Sequence, residues 1–192
     1  MSFQPGTYYL INVKHARDSV KSMDDSNVTV NEVISDIGQQ VAAMDLSDGD
    51  KQSIIAFGWH GGDNQKWQFE DAGDGNYYIK NVGFGKYLTF PDEPNDGKQV
   101  FINVGFGKYL TFPDEPNDGK QVIATDGPRP WEVRVGREGE NQQDSKESIR
   151  IFVPGTSQNL DLTNHGDITP GNPVQLWEQT PGQGQAWYAI PA

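Results

Sequence analysis

One short stretch of this chain concentrates side chains able to grip a ligand. Asp45 and Asp48 supply carboxylates, Gly49 an unobstructed backbone, Trp59 and His60 rings, and Asn64 and Gln65 amides. A sparser set recurs near the end: Asp161, Gln175, Trp177 and Gln185. A carboxylate accepts hydrogen bonds strongly and in two directions, and an amide both donates and accepts. Covalent chemistry has less to work with. There is no cysteine and no Gly-x-Ser-x-Gly elbow, and no loop is built to cradle phosphate. No two of the three histidines (His15, His60 and His165) stand at metal-ligand spacing, so neither a metal nor a cofactor is expected. Acidic pairs occur, but a chain this acidic supplies them by chance. The residues point to binding and not to an enzyme.

Charge narrows the partners. The formal net charge of −12 repels nucleic-acid phosphates and anionic membranes and favours solubility. The longest apolar runs, such as 41–44 and 54–57, are far too short to cross a bilayer. The start of the sequence has no basic stretch followed by an apolar run of signal-peptide length, and a cytoplasmic location is the expectation.

The elements that must position these residues are short strands. The chain has 22 glycines and 12 prolines, with apolar or aromatic runs between them at roughly ten-residue spacing. Examples are 8–11, 77–79 and 149–153. This is the pattern of an all-β barrel or sandwich.

Those runs recur in a threefold repeat. GTYYLINV (6–13), GNYYIKNV (75–82) and the weaker SIRIFV (148–153) open alike. A second run follows each, around Met44-Asp45-Leu46, Tyr87 to Phe90 and Leu160-Asp161-Leu162. Each copy ends near a tryptophan: Trp67, Trp131 or Trp187. The expected organisation is one domain over 1–192, with repeats at about 1–70, 71–135 and 145–192. Two intrusions interrupt it. The first copy carries an insertion within 14–43, where Val30, Val33, Ile34, Ile37 and Val41 fall at helical spacing. In the second, residues 81–100 recur unchanged at 103–122, a tandem duplication with a 22-residue period. Two identical copies must compete for one strand position, which predicts local heterogeneity.

Asn64-Gln65-Lys66-Trp67 and Gln185-Ala186-Trp187 both fit Gln-x-Trp, in register with the threefold repeat. With the segment 44–67, the opening 5–8 and the tail 159–187, the chain resembles the ricin B-type β-trefoil lectin family, and within it the mushroom branch. The resemblance covers nearly everything but the two intrusions. It implies a β-trefoil with up to three shallow sugar sites. In such sites an Asp early in the repeat accepts bonds from two adjacent hydroxyls, an aromatic stacks on the ring, and an Asn or Gln before the last Trp completes the polar grip.

A pyranose has one apolar face and a rim of hydroxyls, so it wants a flat aromatic below and fixed polar groups around it. The first repeat offers Asp45 as acceptor, Trp59 as the preferred stacking face with His60 beside it, and Asn64 as rim donor. Asp48 and Gly49 lie in the following turn, and Gln65 either contacts the ligand or braces the site from behind. Counting back from Gln-x-Trp, however, Phe57 and not Trp59 falls opposite Trp177, so either aromatic could stack. The third repeat offers a weaker site at Asp161, Gln175, Trp177 and Gln185, with Gly184 where the first repeat has Asn64. In the second, Thr89 or Thr111 replaces the Asp and the Gln is missing, so that copy is expected to be structural.

The resemblance implies a lectin for glycans ending in galactose or N-acetylgalactosamine, a role in fungal defence, and a homodimer. The competing expectation is a β-trefoil protease inhibitor acting through surface loops such as the duplicated PDEPNDG.

Overall fold

The computed structural model describes residues 3–14, 16, 40–90, 98–99, 101–102, 109–111, 123–125, 128–136 and 148–192. The expected helix at 30–41 and both PDEPNDG loops lie outside the described residues, apart from Gln40 and Val41.

Six strands close on themselves. They are β1 (Gly6–Asn12), β4 (Lys66–Gly73), β5 (Asn76–Asn81), β11 (Trp131–Val135), β12 (Ser148–Phe152) and β15 (Trp187–Pro191). Each pairs antiparallel with the next in that order, and β15 returns to β1. Closure leaves no free edge in the ring. The all-β expectation holds. Burial alternates along β5, with Tyr77, Ile79 and Asn81 inside, as a strand with one wetted face requires.

Hairpins stand beside the ring. β2 (Ala42–Leu46) pairs β3 (Ile54–Gly58), and β13 (Gln158–Leu162) pairs β14 (Val174–Glu178). The two hairpins are tied by Ala56 N–H donating to Asn172 O (2.7 Å) and Gly171 N–H to Ala56 O (3.0 Å). In the middle copy, β6 (Leu88–Thr89) pairs β8 (Phe101–Ile102). β7 (Lys98–Gln99) runs along β14, and β9 (Tyr109–Thr111) pairs β10 (Ile123–Thr125) apart from the rest.

One arrangement recurs three times in the core. Trp67, Trp131 and Trp187 are fully buried. Their Nε1–H groups donate to Met44 O (2.9 Å), Leu88 O (3.1 Å) and Leu160 O (3.4 Å). Each bond satisfies a polar atom that would otherwise cost about 1–3 kcal/mol. Asp45, Thr89 and Asp161, which directly follow the three accepting residues, therefore hold equivalent places. Strand register sets Tyr8 opposite Trp67, Tyr77 opposite Trp131 and Ile149 opposite Trp187. Val153 thus stands where the other copies have Asn12 and Asn81, one residue off the match that the apolar runs suggest. The cause is side-chain alternation: a one-residue slip would turn the buried Ile149 and Ile151 out of the core.

A second cluster covers the outside of the first copy. Ile11, Val13, Ala16, Val41, Ala43, Ala186, Tyr188 and Ile190 are buried together, with Tyr9 and Trp59 packed against them.

Candidate functional site

Asp45 lies on β2 one residue pair from the turn of the first hairpin, only 3 % exposed. Asn64 Nδ2 donates to its Oδ2 at 3.0 Å and also reaches Leu46 O at 3.3 Å. His60 Nδ1 accepts from Gly62 N–H at 3.1 Å. That assigns the ring proton to Nε2, which lies 3.4 Å from the same Asp45 oxygen. Burial pushes the Asp45 carboxyl above the ordinary carboxylate range, and this outweighs Gln65 and His60, which pull it down. The carboxylate is thus held rigidly by two donors and keeps its Oδ1 free of these two contacts.

A single 3₁₀ turn, Asp63–Gln65, presents Asn64. Asn81 Nδ2 holds the turn by donating to Asn64 O (2.9 Å), and Gly83 N–H donates to Asp63 O (3.0 Å). A side chain at Gly83 would come within 2.9 Å of Asn64 N, so the close approach requires glycine there. Gly62 does similar work beside it: a Cβ would lie 2.6 Å from His60 Cε1 and 2.8 Å from Asn64 Oδ1.

Gln65 takes the bracing place of the two weighed from sequence. It is fully buried, with Oε1 accepting from His60 N–H (2.9 Å) and Nε2 donating to Gly58 O (2.9 Å). Gln185 repeats this, accepting from Thr180 N–H (2.8 Å) and donating to Glu178 O (2.9 Å). The glutamine of Gln-x-Trp is therefore a latch that pins the loop after the hairpin, and Gln185 Oε1 also accepts from Arg150 (2.9 Å).

The aromatic positions separate clearly. Asp45 pairs across the hairpin with Ile55, and Phe57 stands two residues on, on the same face. Asp161 pairs with Gln175, and Trp177 stands two residues on. Phe57 and Trp177 are 41 % and 39 % exposed. Phe57 meets the His60 ring edge-on, centroids 6.0 Å apart. Trp59 instead packs edge-on against Tyr9 at 5.7 Å, and its buried Nε1 finds no acceptor among the described residues. The preferred face from sequence, Trp59, is turned inward, and Phe57 is the ring offered to solvent.

Asp48 and Gly49 sit exposed at the hairpin tip, and Asp48 is near enough to disfavour ionisation of Asp45. Gly49 N–H bonds Ser47 Oγ (3.3 Å), and its backbone conformation does not demand glycine.

In the third copy, Gln175 Nε2 donates to Asp161 Oδ2 at 3.0 Å. Burial raises the Asp161 carboxyl, opposed by Gln175, Gln185, His165 and Arg150. The place of Asn64 is filled by backbone, because a Cβ on Gly184 would meet Gly166 N at 3.1 Å. Asn12 holds Gly184 O (2.9 Å) as Asn81 holds Asn64 O. Sequence reasoning passed over Arg150 and Lys14. Arg150 is 4 % exposed and donates to Thr180 O, Gln185 Oε1 and Gly182 O. In the middle copy Thr89 offers no carboxylate. Among the described residues no three His, Cys, Asp or Glu side chains gather in a way that could hold a metal.

A six-stranded closed barrel with hairpins beside it, repeating one tryptophan–carbonyl contact three times, is a β-trefoil. The chain belongs to the ricin-type β-trefoil lectin domain-like family, whose model matches residues 3–103. Among solved structures it is similar to the Macrolepiota procera ricin B-like lectin in complex with lactose, with 28 % identity, a TM-score of 0.61 and full coverage of both chains. The Rhizoctonia solani agglutinin shares the fold at 19 % identity and a TM-score of 0.55, covering 100 % of this chain and 99 % of that one. A designed threefold-symmetric protein, ThreeFoil, does so at 18 % and 0.54, covering 96 % and 99 %. No protein of curated function matches the chain by sequence.

Proposed function

We propose that this chain is a non-enzymatic lectin for glycans ending in galactose or N-acetylgalactosamine. The observation that carries the reading is the Asp45 carboxylate, nearly buried, fixed by Asn64 and His60, and flanked by the exposed Phe57 ring. A sugar would lay its apolar face on Phe57 and give two adjacent hydroxyls to Asp45, with Asn64, His60 and Asp48 at the rim. Gln65 and Trp59 support the loop from behind. Family membership and the lactose held by the Macrolepiota relative support carbohydrate binding and the galactoside choice.

Asp161, Gln175 and Trp177 form a second, weaker site, with Gln185 as its latch. Such shallow sites give affinities on the order of millimolar to micromolar. Useful avidity then comes from presenting several sites together, within one chain or in a homodimer. Defence against organisms displaying such glycans follows as the biological role.

Calorimetric titration of the parent and Asp45→Ala with lactose and N-acetylgalactosamine tests this. Binding in the parent that is lost in the variant supports both the lectin and the site. A folded parent that binds neither sugar sinks the reading.

A further inference from the structure

Resting on the carbohydrate-binding reading, we infer that the third-copy pocket takes a sugar bearing an anionic group, in contrast to the neutral galactoside proposed for the first. The two sites are built on equivalent strands, but their charges differ in sign.

A cavity of about 230 Å³ opens beside Asp161, walled by Lys14, His165, Thr180, Gly182 and Gly184. Lys14 comes from the other end of the sequence, just after β1. Its Nζ donates to His165 O. Among the described residues that carbonyl is its one hydrogen-bond partner and it has no carboxylate partner, so two ammonium protons remain to be used. The side chain is half-buried, which limits the solvent screening of its charge.

Beneath the same wall lies Arg150, nearly buried, its guanidinium committed to Thr180 O (2.8 Å), Gly182 O (3.2 Å) and Gln185 Oε1 (2.9 Å). Its guanidinium places a positive charge under the pocket. Lys14 and His165 therefore share the cavity wall with one carboxylate, Asp161, and Arg150 stands behind that wall. The first site has the opposite balance: Asp45 and Asp48 stand with one histidine, His60, and the nearby Lys66 is already paired to Asp63 at 2.8 Å. In a chain of net charge −12, a net-positive cavity is a local exception.

Geometry supports the exchange of donors. The third copy has no amide at the position of Asn64, because the Gly166 and Gly184 backbones fill that space. Lys14 brings a charged donor into the same cavity from a different element. Asn164 and His165 hold left-handed backbone angles in succession (φ 55° and 59°), a conformation that costs a non-glycine residue energy. That pair of angles presents the carbonyl that Lys14 binds.

The test compares methyl galactoside with methyl galacturonide, which share ring stereochemistry and differ by a carboxylate. Both are titrated by NMR into Asp45→Ala, which silences the first site. The galacturonide should bind about two- to five-fold tighter at low salt, and the margin should shrink as salt rises. Adding Lys14→Met should erase the margin, and Lys14→Arg should restore it, while circular dichroism shows each variant folded. Equal binding of the two sugars, binding of neither, or a margin that survives Lys14→Met would overturn the inference. The lectin reading is judged separately, by lactose binding to the parent.

Discussion

Trp131 Nε1 donates to the carbonyl of Leu88 at 3.1 Å, as Trp67 does to Met44 and Trp187 to Leu160. This places the first of the two duplicated segments in the core. Leu88 is fully buried, while among the described residues Tyr109–Thr111 of the second segment pairs with Ile123–Thr125 in a two-stranded sheet of its own. Leu88→Ala should therefore cost about 2–5 kcal/mol in chemical denaturation. Leu110→Ala, in the segment that does not supply the Trp131 acceptor, should cost less. Equal, small losses would mean that the two identical segments exchange places, each covering for the other.

Much of this was legible beforehand, and the reasons are physical. The three tryptophans and the alternating apolar runs declare a repeated β unit, because burial follows sequence with period two. Asp45, Asn64 and His60 were legible as a polar cluster following a recognised pattern. What sequence could not rank was Phe57 against Trp59. Both are large and aromatic, and only the hairpin register decides which faces outward. Lys14 and Arg150 carried no such signal because they come from outside the third hairpin, Lys14 lining its cavity and Arg150 lying behind the wall. Gly62 carried no signal either, since its role is the space it leaves between two side chains.

Phe57 and Trp59 should respond oppositely to truncation. Phe57→Ala removes an exposed ring whose proposed work is stacking, worth about 1 kcal/mol, or roughly five-fold in affinity. Its melting temperature should stay near the parent's. Trp59→Ala removes a half-buried side chain packed on Tyr9 and the outer cluster, and should cost about 2 kcal/mol of stability. Paired lactose titrations and thermal melts check both. A Phe57→Ala protein with undiminished affinity would move the stacking face elsewhere.

Gly62→Ala tests the space itself. The backbone at Gly62 (φ −67°, ψ 158°) is open to alanine, so no conformational penalty applies. The added methyl would meet His60 and Asn64 each at under 3 Å, so both must shift, which disturbs their hold on Asp45. The expected result is a loss of about 1 kcal/mol in sugar binding, roughly five-fold, with little change in unfolding free energy. Unchanged binding would show that the grip tolerates a displaced His60 or Asn64.

Asp45 ties binding and stability to pH with opposite signs. Its carboxyl is raised by burial, so the folded chain holds that proton more tightly than the unfolded one. Stability from this group is therefore fully present below the unfolded carboxylate value and is lost as pH rises through the folded one. Sugar binding needs the ionised form, and so should fade as pH falls through that same raised value, earlier than for an ordinary aspartate. Asp45→Asn should remove its part of the stability slope and be at least as stable as the parent at neutral pH, because the amide oxygen can still accept from Asn64 and His60. It should also bind lactose poorly at every pH, since one carboxylate acceptor is gone. Asp161, raised in the same way, contributes a further part of that slope, and Asp45→Asn with Asp161→Asn should remove both parts. Denaturation curves and lactose titrations across the acid range measure both effects. An Asp45→Asn protein less stable than the parent at neutral pH would show that the buried charge is more than repaid by its two donors.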